Sequence, residues 1–165
     1  MWGVAGVLVL VGDALWRLAP MARSGLAMDL TPTQGVFLAF WLVFMGWSEG
    51  YKGFQKLFAP RVVARALALA VDPRPARVVL APLFVMGLFG ATRKRLIVSR
   101  VLVAGIVLLV LFVRTLPQPW RGLVDAGVVL GLAWGTIALL VYSVRALMGR
   151  PPTIDPDLPE GEGPG

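Results

Sequence analysis

The chain has 165 residues, 58% hydrophobic and 15% charged, with a mean hydropathy of +0.78 and a formal charge of +7. A water-soluble domain is nearer half apolar and a quarter charged, so a soluble fold of this composition would expose too much apolar surface. Cys and His are both absent, which removes thiol nucleophiles, disulfides, haem ligation, most zinc and copper sites and the usual general base.

The first apolar run covers residues 2–12 and continues through Asp13 and Arg17 to Ala22. It is long enough to cross a membrane as a helix, since about 20 residues span a ~30 Å hydrocarbon core. A cleaved signal peptide fits less well, because the run lacks a cationic start and Asp13 interrupts it. Residues 23–34 read as a loop, with Thr31 capping the next helix just before Pro32.

The second run is apolar over residues 35–47. Phe40, Phe44, Trp47, Tyr51, Phe54 and Phe58 follow at helical spacing, which predicts one aromatic stripe with Glu49, Lys52 and Lys56 opposite. The expectation is one long helix that spans and then enters the interface, stopped by Pro60. The stripe reads as packing or lipid contact. Residues 61–71 carry Arg61 and Arg65 four apart in an apolar segment, suited to a helix on the membrane surface with both arginines as lipid head-group anchors.

The third run, residues 78–91, has fourteen residues and contains Pro82, Gly87 and Gly90. At ~21 Å as a helix it is short for a span. A basic cluster, Arg93, Lys94 and Arg95, follows as a further head-group anchor. Spanning helices are expected at about 95–115 and over the apolar run 122–148. Residues 150–165 are rich in Pro, Gly and acids and are expected to be a disordered tail, leaving 1–149 as a single helical membrane domain.

Basic residues of short loops stay cytoplasmic. With five spans, Lys and Arg divide eight against eight; with residues 78–91 not spanning, they divide twelve against four. The expected fold is therefore an all-α polytopic membrane protein with four transmembrane helices, a re-entrant or interfacial element at 78–91, and both termini cytoplasmic. Five spans are the alternative. Thirteen Arg against three Lys suggest a GC-rich bacterial source, and hence an inner membrane.

Three constellations stand out. Gly127, Gly131 and Gly135 form a doubled GxxxG on the last run, a groove for close helix packing within the chain or against a partner. Glu49 lies at membrane depth with Lys52 three residues on, an expected interfacial ion pair. Asp13 with Arg17, and Arg121 with Asp125, are spaced to neutralise each other on one helix face; a polar path through Asp13, Glu49 and Asp125 is the sharper reading. No phosphate-binding loop, nucleophile elbow or dinucleotide fingerprint occurs. The pattern points to a non-catalytic membrane component, an accessory, assembly or scaffold subunit acting through helix packing and a basic cytoplasmic face. The alternative is a small oligomeric transporter or channel. Expected partners are anionic lipids and other membrane subunits or a second copy, with no nucleic acid, metal or cofactor.

Overall fold

A computed structural model describes residues 2–158, and among these every regular element is a helix. Helix α1 runs Trp2–Leu26. A loop leads to α2 (Pro32–Met45), which opens on a capping box: the Thr31 hydroxyl accepts from the Gln34 N–H, and the Gln34 side chain accepts from the Thr31 N–H at 2.9 Å. The chain then enters a π-helical segment, Gly46–Phe58, and continues directly into α3 (Ala59–Val71).

Two expectations for this region change. Pro60 does not end the helix. It lies in the first turn of α3, directly after the π segment, where a missing N–H is tolerated. The aromatic stripe also breaks, because a face reckoned at 3.6 residues per turn does not persist through i→i+5 geometry. The side chains show the five-residue repeat: Lys52 Nζ sits 5.4 Å above the Trp47 ring and Lys56 Nζ 5.3 Å above that of Tyr51. Phe54 turns inward toward Gly135, whereas Phe40, Phe44 and Trp47 stay exposed. Glycines 46, 50 and 53 make the segment a poor α-helix former.

Residues 78–91 do not form one helix. They divide between α4 (Pro75–Val79), α5 (Ala81–Val85) and turns in which Gly87 and Gly90 take φ of +75° and +56°. Such positive φ suits glycine, and each helix is far too short to cross. Helices α6 (Arg93–Val113) and α7 (Trp120–Leu147) follow. Three helices, α1, α6 and α7, are long and apolar enough to span a membrane. α2 reaches that length only together with the more polar π segment.

α7 is the packing centre, touching α1, α2, the π segment and α3. Its first turn meets the end of α1 where a Cβ on Gly122 would lie 2.5 Å from the Gly25 Cα. The core joins Val4 and Val7 of α1, Val62, Val63 and Ala66 of α3, Phe84 and Val85 of α5, and Ala138 and Leu139 of α7. α3 is thus packed inside the protein along its first two turns instead of resting on the membrane surface. α6 is the opposite case: Ser99 and Val113 are buried, but every residue from 100 to 112 is exposed.

The tail expected to be disordered carries no helix over residues 150–158, yet Leu158 packs on the core and the Asp157 carbonyl accepts from the Thr92 N–H at 3.0 Å. Residues 159–165 of that tail lie outside the described residues.

The three glycines of α7 face α2 and the π segment, in unequal ways. A Cβ on Gly127 would overlap the Trp41 indole, whose Nε1 is held by the Val124 carbonyl at 3.1 Å. A Cβ on Gly135 would lie 2.5 Å from the Phe54 ring, but on Gly131 only 3.3 Å from the Glu49 Cβ. Gly127→Ala and Gly135→Ala are expected to destabilise by about 1–3 kcal/mol through overpacking. Gly131→Ala should stay within ~1 kcal/mol of wild type, its helix-propensity gain offsetting the tighter contact. Thermal unfolding in mild detergent measures the order; equal losses at all three positions would contradict it.

Candidate functional site

Arg65, on the inward face of α3, ties three irregular segments of the chain together. Its side chain is 1% exposed, so the expected head-group role is corrected: the guanidinium points into the protein and cannot reach a lipid phosphate. Its donors are taken up by five backbone carbonyls. Nε donates to Phe84 at 2.7 Å, Nη2 to Phe89 at 3.1 Å and Gly90 at 2.7 Å, and Nη1 to Pro156 at 2.8 Å and Asp157 at 3.4 Å. The Phe84 ring covers the guanidinium carbon at 4.3 Å, a cation–π contact in a desolvated site.

These carbonyls are available because their segments are irregular. Phe84 lies in the last turn of α5, where carbonyls lack full helical partners. Phe89 and Gly90 lie in the turn shaped by the two positive-φ glycines, and residues 150–158 are without regular structure. A planar fork with five N–H donors fits three such strands of backbone, where an ammonium would not.

The surroundings are strongly cationic. Arg61 Nε lies 3.1 Å from Asp157 Oδ2, and the Arg77 guanidinium stands 5.2 Å from the Phe84 ring. Burial pushes the Arg65 pKa down, with Arg95 adding to that and Asp157 opposing it, to about 10. Arg65 therefore remains charged at neutral pH. Asp157 itself adopts φ +53°, with its N–H on Asp155 Oδ1 at 2.7 Å; Asp is one of the few residues that tolerates this region.

The other candidate residues are dispersed. Asp13 and Arg17 pair at 2.9 Å on the outside of α1, and Arg121 Nε is 3.8 Å from the buried Asp125 carboxylate. The expected Glu49–Lys52 pair is not formed, because the π turn carries Lys52 over Trp47 instead. Arg93 and Lys94 are exposed, whereas Arg95 is half-buried beside Gly87. Asp13, Glu49 and Asp125 sit on three different elements, and among the described residues no acidic side chains gather as metal ligands would. Sequence reasoning missed the Arg65 node. Its one visible signal was an acidic tail in a basic chain. No protein-family model matches the chain, and no curated protein or solved structure is significantly similar to it.

Arg65→Met removes the donors that hold the tail. Hydrogen bonds to a charged donor contribute about 1.5–3 kcal/mol each, so losing even one raises opening of the tail roughly ten- to hundredfold. Limited subtilisin digestion of the detergent-solubilised protein should cut residues 150–158 faster by that factor, and Arg65→Lys should not restore protection. Wild-type cleavage rates in Arg65→Met would show that the tail is held by other contacts.

Proposed function

We propose that this chain is a non-catalytic component of a bacterial inner membrane, an accessory, assembly or scaffold subunit that works by contacting a partner membrane protein. In this reading there are four spans: α1, α2 with its π segment, α6 and α7. The packing supports it. Gly3 of α1 lies against Ala81, Gly25 meets Gly122, Phe37 rests edge-on against Trp120 at 5.4 Å, and Phe54 reaches Gly135. The starts of α1 and α6, the end of α7 and residues 59–92 then share one end of the bundle, the end that carries most of the arginines. That end is the cytoplasmic face by the distribution of bases.

The observation that carries the functional reading is the Asp13–Arg17 pair. Asp13 and Arg17 lie near the middle of the 25-residue α1, yet their side chains are 53% and 72% exposed. An ion pair on the outside of a span, at hydrocarbon depth, is costly against lipid. A polar patch on a neighbouring transmembrane helix relieves that cost. The bare circumference of α6 offers further apolar surface for the same contact. A second reading, a small oligomeric transporter, rests on Asp125: it is 4% exposed and its Oδ2 receives no hydrogen bond among the described residues. Buried carboxylates in spans often serve ion pathways.

Purification from the native membrane in mild detergent separates the two. The scaffold reading expects a second membrane protein in fixed stoichiometry, lost in Asp13→Ala/Arg17→Ala while the chain itself stays folded. A homo-oligomer that conducts in liposomes, and loses conduction in Asp125→Asn, would replace it with the transport reading.

A further inference from the structure

Two cavities on the surface of α7 adjoin each other and differ in chemistry. The first, about 370 Å³, opens at the cytoplasmic end between the π segment, α7 and the tail. Its charged lining is Lys56, Arg145 and Arg150, with Tyr142 beside them and tail residues 151–154 as one wall. The second, about 480 Å³, runs along α7 toward the membrane interior, lined by Leu130, Ala133, Trp134, Ile137 and Val141. The two share Tyr142 and Arg145, and among the described residues no carboxylate lines either.

We infer that these two cavities are one binding site for an anionic glycerophospholipid, its phosphate among Lys56, Arg145 and Arg150 and one acyl chain along the α7 groove. The register supports it. Positions 130, 133, 134, 137, 141 and 145 recur at three- and four-residue intervals, so they form one stripe that ends on the cation. From Leu130 to Val141 the stripe is about 16 Å long, roughly half of a ~30 Å hydrocarbon core and so the depth of one leaflet. The groove's indole N–H is already satisfied: Trp134 Nε1 donates to Gln55 Oε1 at 2.8 Å. What remains there is apolar surface, with Ile137 63% exposed.

At the head end, among the described residues, Arg145 and Arg150 form no ion pair and Lys56 is engaged only by the Tyr51 ring. Three cations without a counter-charge among the described residues favour a phosphodiester and disfavour a zwitterionic head group, whose own cation would face them. The wall at 151–154 is set by the tail, which the Arg65 carbonyl contacts hold in place. This site is separate from the exposed Arg93 and Lys94, which line neither cavity.

The inference rests on the chain being embedded in a membrane, and alkaline carbonate extraction tests that first. Release into the soluble fraction would overturn the membrane reading and the lipid site together. For the site itself, the full chain is stripped of lipid in a neutral maltoside detergent and its thermal unfolding followed. Phosphatidylglycerol at about ten times its dissociation constant is expected to raise the midpoint by roughly 3–6 °C. Phosphatidylcholine with the same chains, and inorganic phosphate alone, are expected to leave it unchanged. Arg145→Gln/Arg150→Gln and, independently, Ile137→Trp should abolish the shift, whereas Arg93→Gln/Lys94→Gln should keep it. An equal shift in Arg145→Gln/Arg150→Gln, or an equal shift from inorganic phosphate, would overturn the site. Should a variant unfold, native mass spectrometry of the wild type decides: retained phosphatidylglycerol in one-to-one ratio supports the site, and a broad distribution of lipid numbers refutes it.

Discussion

The Arg65 guanidinium is the constraint around which the rest of the structure is arranged. A buried, charged side chain costs several kcal/mol unless its donors are all met. Here they are met by carbonyls from the end of α5, the glycine turn and the tail, segments up to 92 residues away in the chain. The exchange works in both directions. Irregular backbone near a membrane leaves carbonyls without partners, and one guanidinium supplies what three such segments lack. The short helices α4 and α5 and the tail therefore hold to α3 without a regular scaffold of their own.

Around that node the bundle is closed by small residues. α7 presents Gly122 to α1 and Gly127, Gly131 and Gly135 to α2 and the π segment, which lets backbones approach as lipid-embedded helices require. The π segment matters for the same reason. Its five-residue repeat turns Phe54 onto Gly135 while stacking Lys52 and Lys56 on aromatic rings. One register change thus seats one aromatic in the bundle and keeps two cations at its edge. α6 stays outside this arrangement, anchored at Ser99 and Val113, so the most apolar of the three span-length helices contributes surface and little internal packing.

Much of the architecture was legible in the sequence, because its signals were local. Thr31 with Gln34 marks a helix start, Pro82 with two glycines breaks the third apolar run, and glycines four apart mark a packing face. Asp13 with Arg17 is likewise a neighbour interaction on one turn. The remainder depended on distant contacts. That Arg65 turns inward while Arg93 and Lys94 stay outside follows from what surrounds each residue in space. Composition alone reads the tail as disordered, since its proline, glycine and acid content says nothing of a guanidinium waiting for its carbonyls. A π segment has no pattern distinct from a glycine-rich α-helix, so the aromatic stripe was extended across a register change that sequence spacing does not reveal.

In the proposed topology, α3, residues 72–92 and residues 150–158 of the tail meet on one side of the membrane, with four spans between them and the opposite face. The chain has no cysteine of its own, so single cysteines at Arg74, Lys94, Thr153 and Arg114, all exposed, report their sides without background. With an impermeant thiol reagent added to intact cells, Arg114→Cys should label and the other three should not, until the membrane is opened. Labelling of Arg74→Cys and Lys94→Cys on opposite sides would establish a further crossing between them and contradict the account.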